Sequence, residues 1–422
     1  MSDPAGWFRE VASNHPRCCW LDGGGAREWS GRRSLVGWLE PDDVSLTCDA
    51  SLREVRRHAG GRSEVVGDDV FAALETEIAA GDAGDQWFGY LGYAARPDLP
   101  AASSGSPAGA RGLPDAVWMR PSHVRFFDHG LVDRESGPVG GPAVGPGGDE
   151  EVPGEYAEAF ARVQEQLHAG NTYEVNLTYR LARESDLDPV AAYLRLRELN
   201  PAPYAGFLQH DLPGHRAWLL SSSPERYALV TADRHLETKP IKGTTPRGAT
   251  PEDDEALRER LRTEPKFRSE NLMILDLLRN DLSMVCEPGT VEVPVLMGVE
   301  SYETVHQLVS TVRGRLRDDV STVAALRALF PAGSMTGAPK LRTMSVIDEV
   351  EASPRGVYAG AFGWIAADGR ADLGVVIRSL MTAGDGTWTL GTGGGITVRS
   401  DLAEEYAESR WKAERLLRVF DG

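Results

Sequence analysis

GEYAEAFARVQEQLHAGNTYEVNLTYRLA, residues 154–182, carries both periodicities from which the fold class is read. Its first half sets apolar residues at helical spacing and stops at Gly170, whereas TYEVNLTYRLA alternates as a strand with one buried face does. The same two patterns extend outward on both sides. Strand patterns fall at 87–93, 124–132, 216–222, 226–232, 290–299, 306–316, 357–366, 372–382 and 387–398. Helical patterns cover 67–80, 189–199, 251–263, 267–282, 321–329, 340–351 and 401–420. Strands come in consecutive groups with helices between the groups, which predicts an α+β fold with mostly antiparallel sheets rather than a doubly wound parallel one.

The chain has 422 residues, 41% of them hydrophobic, enough for a sizeable core in one large domain or two ordinary ones. Two Gly/Pro/Ser-rich stretches, 101–114 and 136–149, cannot supply buried faces and read as mobile loops. They lie near the end of an N-terminal region, 1–150, that contributes strands ahead of a better patterned region at 151–422. The 45 basic and 63 acidic residues give a net charge of −18, which speaks against a nucleic-acid partner because phosphate binding needs an excess of Lys and Arg. No run of about 18 apolar residues occurs, nor a basic segment followed by an apolar one at the N-terminus, so no membrane partner and a cytoplasmic location are expected. Cys18, Cys19, Cys48 and Cys286 lack CxxC spacing and suit reduced thiols. An anionic substrate in so acidic a protein needs a locally positive site, from a metal ion or a few placed basic side chains.

Several segments are candidates for that site. In SDLAEEYAESRWKAERLLRVF (400–420), Asp401 can cap a helix and Glu404 close the capping box, while Glu405, Glu408 and Lys412 share one face. Alone, that face reads as a solvated charged stripe; opposite Glu270, near the start of a second amphipathic helix, it reads as carboxylates holding Mg²⁺. Lys242, in TKPIKGTTPRG (238–248), is either a surface strand lysine or a nucleophile whose pKa is lowered by burial and by Lys239 and Arg247. At the reference pKa only roughly 0.04% of a lysine is neutral at pH 7, so a useful nucleophile needs a downward shift of about three units. GTGGGIT (391–397) and AGSMTGAPK (332–340) suit backbone N–H groups aimed at anions, and neither is a P-loop or a dinucleotide fingerprint. Arg378 stands in an otherwise apolar strand pattern, where an arginine pairs with a buried acid or clamps a carboxylate.

In order along the chain, NTYEVNLTYR, SSSPERY, ETKPIKGT, ENLMILDLLRNDL, VHQLVST, FPAGSMTGAPK, AGAFGWIA, IRSL, GTGGGI and EEYAES resemble the chorismate-utilising family of anthranilate, aminodeoxychorismate, isochorismate and salicylate synthases. The resemblance covers about 155–420 and extends weakly to WFGYLGY (87–93). It implies antiparallel sheets packed face to face with helices around them, and Mg²⁺ held by Glu270 and Glu408 with Glu405 close by. The pyruvyl carboxylate would meet Tyr358, Arg378, Gly393, Gly394, Gly395 and Lys412; the ring carboxylate would meet Mg²⁺ and the Gly243-Thr244 turn, with His306 near the ring. Glu225 matches the family's general acid for the departing 4-hydroxyl. Where anthranilate synthases typically read PIAGT, PIKGT resembles the aminodeoxychorismate branch, in which the lysine attacks C2 and ammonia then resolves the adduct at C4. Isochorismate and salicylate synthases place a water-activating lysine at the position of Glu174, and many aminodeoxychorismate relatives have Gln there. No cysteine sits in a glycine-rich elbow, so the resemblance implies ammonia from a separate glutamine amidotransferase subunit.

Overall fold

Every strand ladder among the described residues is antiparallel, and the strands gather into one sheet of nine and one of twelve. The computed structural model describes residues 4–23, 33–103, 112–129, 151–302 and 305–421. The loop expected at 136–149 and most of the one at 101–114 lie outside them.

The largest apolar cluster forms between the sheets, with Leu208 and Leu219 from the nine-stranded sheet packed among Leu46, Phe88, Ala228 and Leu373 from the other. Each such leucine or phenylalanine removed from water contributes roughly 1.5–3 kcal/mol. Helices close the outer faces. Pro189–Leu199 and Leu402–Leu417 bury Leu196, Ala413 and Leu416 with Phe207, Trp388 and Leu390 of the nine-stranded sheet. Strands Arg17–Asp22 and Arg33–Trp38 extend that sheet from Tyr204–His210, while Gln86–Leu91 pairs with Ala361–Ala366 in the twelve-stranded one. The N-terminal third therefore supplies strands to both sheets.

The chain crosses from one sheet to the other at two places that matter for the site. The expected strand at 372–382 is broken: Ala371–Val375 lies in the twelve-stranded sheet and Ser379–Thr382 in the nine-stranded one. Between them Arg378 takes a left-handed φ of 49°, a conformation that costs a non-glycine residue on the order of 1 kcal/mol and turns the chain from one layer into the other. The second crossing runs the opposite way, from Ala217–Ser223 through Pro224 and Glu225 into Arg226–Val230. The crossings lie side by side, because the Val375 amide donates to the Glu225 carbonyl (2.9 Å) and the Ser222 amide to the Arg378 carbonyl (3.2 Å). No helix among the described residues is long and apolar enough to cross a membrane.

Candidate active site

The paired crossings open onto a cavity of about 130 Å³ between the sheets. Glu225 and Arg378 line it from the crossings, Gly393, Gly394 and Gly395 from strand Thr387–Ile396, and Lys242, Gly243 and Thr244 from strand Ile241–Pro246. Helix Pro265–Ser283 adds Glu270, helix Leu402–Leu417 adds Glu408 and Lys412, and Tyr358 completes the wall. Of the catalytic, substrate-binding and metal-binding residues that the resemblance implies, only His306 and Glu405 do not line it. Strand alternation accounts for His306: its neighbour Gln307 faces the cavity, while its own ring is held by Ser301 (2.7 Å) and Asp254 (2.9 Å) on the far side. Glu405 is buried just behind Gly394, accepting from Lys266 (3.0 Å) and Ser400 (2.8 Å).

Lys242 reaches the cavity through a β-bulge. Ile241 pairs with Val309 and Thr244 with Gln307, so one extra residue is inserted, and Gly243 absorbs it at φ 96°. The amine donates to Glu174 Oε1 at 2.5 Å, with the two side chains 10% and 1% exposed. Burial pulls the Lys242 pKa down, but Glu174, through charge and hydrogen bond, and then Glu270 and Glu225 outweigh it and hold it above the ordinary value. This reverses the expectation of a lowered pKa. Lys239 pairs with Glu300 (2.5 Å) and Arg247 with Asp254 (2.7 and 2.8 Å), so the charges nearest the Lys242 amine are negative.

Glu225 behaves oppositely. Burial raises its pKa to about 7, against the hydrogen bond from Ser334 Oγ (2.5 Å) and the charges of Lys242 and Arg378, so a large fraction keeps its proton at neutral pH. Arg378 has no hydrogen-bond partner for its guanidinium among the described residues and stands on the cavity wall. A fork of donors without a partner, in a cavity that Lys412 (3.1 Å from the Gly393 carbonyl) also lines, is chemically suited to a carboxylate.

The glycines of GTGGGIT belong to a strand, paired residue by residue with Glu174–Glu184, and not to an anion-binding turn. Two of them make room. A Cβ on Gly391 would fall 2.2 Å from the Tyr358 ring, and one on Gly395 would fall 2.4 Å from Glu174 Oε1 and 3.1 Å from Lys242 Nζ.

For a cation, the residues offer carboxylates. Among the described residues no three His, Cys, Asp or Glu side chains already converge on one point, and Glu408 is engaged by Lys412 (2.7 Å), which lowers its pKa. Glu270 is different: its Oε1 is buried without a partner, and burial raises its pKa to about 7 despite Lys242. A hard divalent ion that takes one or two carboxylates and fills its shell with water and substrate oxygens suits that donor set.

Sequence reading did not find Ser334, which lies 109 residues from Glu225, or the cavity-facing Gln307, whose Oε1 is buried without a partner. Alternation about His306 is the one signal that pointed to Gln307.

The chain belongs to the chorismate binding enzyme family, whose pattern matches residues 17–418. It is 39% identical to an aminodeoxychorismate synthase of Streptomyces pristinaespiralis over 97% of this chain and 62% of that protein. It is 43% identical to aminodeoxychorismate synthase component 1 of Klebsiella aerogenes over 63% of this chain and 58% of that protein. It thus spans less than two thirds of the length of these relatives. Among solved structures it resembles anthranilate synthase component I from Streptococcus pneumoniae TIGR4, with a TM-score of 0.74, 25% identity and 92% of each chain covered.

Proposed function

We propose that this chain converts chorismate and ammonia to 4-amino-4-deoxychorismate, as an aminodeoxychorismate synthase of the component I type. One observation carries the reading: an amine, Lys242 Nζ, and a carboxyl group protonated near neutrality, Glu225, face the same cavity. Glu225 gives its proton to the departing 4-hydroxyl, Lys242 forms a bond to C2, and ammonia then displaces the lysine by attack at C4. Arg378 and Lys412 hold the pyruvyl carboxylate beside Tyr358 and the glycine strand, and Gly243 and Thr244 border the ring carboxylate. Glu270 and Glu408, with Glu405 behind them, would hold Mg²⁺, which when bound neutralises a substrate carboxylate and fixes its orientation.

Ammonia comes from a separate glutamine amidotransferase subunit or from solution. The relative of known structure named anthranilate synthase suggests amination at C2 instead, and a lysine in the PIKGT segment disfavours that reading. Purified chain given chorismate, Mg²⁺ and ammonium should release 4-amino-4-deoxychorismate, which an added lyase converts to 4-aminobenzoate. Chelation should stop turnover and Mg²⁺ restore it. Anthranilate as the main product would overturn the reading.

A further inference from the structure

An ammonium has no lone pair, so Lys242 must lose a proton before it can attack, and the cavity holds it as an ammonium by surrounding it with carboxylates. Four carboxylates act on its charge from four elements: Glu174 from strand Glu174–Glu184, Glu225 from a sheet crossing, Glu270 from helix Pro265–Ser283 and Glu408 from helix Leu402–Leu417. Lys412 and Arg378 are the cations across the cavity. Among the carboxylates only Glu174 hydrogen-bonds the Lys242 amine.

We propose that Glu174 is the base that takes the proton from Lys242 as the amine attacks, so that the chain carries its own acceptor for the step that commits the substrate. The inference rests on the proposed function. Three features support it. Glu174 Oε1 lies 2.5 Å from Nζ, within direct transfer distance. Glu174 is fully buried and its Oε2 has no partner, so the fold stabilises its charge through one oxygen only. A substrate that fills the cavity would dry the pair, and loss of water favours the neutral pair over the ionic one. Third, the strand opposite carries glycine at 395, where any Cβ would strike both members of the pair.

The protons balance. Lys242 passes one to Glu174 and bonds to C2 as both ring double bonds shift and the C4–O bond breaks; the hydroxyl leaves as water with the proton of Glu225. Ammonia then bonds to C4, the C2–N bond breaks and both double bonds return. The 4-ammonium group gives a proton to Glu225, and Glu174 returns its own to Lys242. The net change is chorismate plus ammonia to aminated product plus water, with both carboxyl groups restored.

The test is the rate at which chorismate, with Mg²⁺ and without ammonia, adds to the protein, followed by intact mass as a function of pH. Glu174→Gln keeps the size and a hydrogen-bond acceptor but not the base. It should slow adduct formation about 100-fold at pH 7, with the rate climbing as pH rises because solvent must now remove the proton, and chorismate affinity should change by less than about threefold. Formate added to Glu174→Ala should restore part of the rate, a rescue that a merely structural glutamate would not show. A wild-type rate and pH profile in Glu174→Gln, or no formate rescue in a folded Glu174→Ala, would overturn the proposal. Absence of any adduct in the wild type would overturn the proposed function as well, so the two failures are distinguishable.

Discussion

Lys242 and Lys340, with side chains 10% and 12% exposed, both sit beside buried carboxylates, and only Lys242 lines the cavity. At the foot of helix Lys340–Val350, Lys340 donates to Asp281 (2.6 Å) and to the carbonyls of Leu329 (2.8 Å) and Pro331 (3.1 Å), so its three N–H groups are all used. Lys242 makes one hydrogen bond among the described residues, to Glu174, and lines the cavity. Their pKa values move in opposite directions: burial lowers that of Lys340 despite Asp281, whereas carboxylates raise that of Lys242 despite burial. A search for a lysine with a depressed pKa would therefore pass over Lys242 and select Lys340 or Lys239. In the proposed mechanism the nucleophile is the lysine with access to the cavity and unused donors, and its deprotonation has to be arranged at the moment of attack.

Mutation should separate the two lysines. Lys242→Ala should lower formation of 4-amino-4-deoxychorismate by roughly 10³-fold or more in protein that remains folded, because it removes the attacking atom; it also leaves the buried Glu174 without its counter-ion, which costs about 3 kcal/mol of stability. Lys340→Met should cost stability alone. It leaves Asp281, 3% exposed, without its counter-ion, a loss of about 3 kcal/mol in a denaturant titration, with the KM for chorismate within about twofold of wild type. A stable but inactive Lys340→Met would remove the distinction.

A smaller effect is expected at Glu225. The Ser334 hydrogen bond favours the ionised carboxylate and holds its pKa down, near 7. Ser334→Ala should raise that pKa, keep the general acid protonated to higher pH, and move the alkaline limb of kcat/KM up by about one unit, as expected for a charged hydrogen bond of roughly 1.5 kcal/mol. A limb that stays in place or moves down would show that Glu225 is not the group titrating there.

Helices with caps and apolar spacing were legible from sequence: Pro189–Leu199 and Pro251–Thr263 begin at Asp188 and Thr250, whose side chains accept from Ala191 and Asp253 amides. The N-terminal strands were not. Arg17–Asp22 is buried on both faces and Arg62–Gly67 is exposed throughout, so neither alternates. The break at Arg378 was hidden because apolar residues continue across it, while the turn between sheets resides in a backbone angle. At the site, motif residues such as Glu225, Lys242 and Arg378 were legible one by one, but not their relations. The Glu174–Lys242 contact spans 68 residues and joins the two sheets, and the charged stripe of the last helix gave no sign that Glu405 lies buried beside Lys266.

A covalent bond from Lys242 to the substrate distinguishes this chemistry from direct attack by ammonia, and intact mass reads that bond without an intervening assay. Protein incubated with chorismate and Mg²⁺ but no ammonia should gain the mass of chorismate less one water, and peptide mapping should assign the gain to Lys242. Lys242→Ala and Lys242→Arg should show none, since a guanidinium keeps its proton at neutral pH. Unmodified wild-type protein under conditions of demonstrated turnover, or an adduct on another residue, would contradict a nucleophilic Lys242.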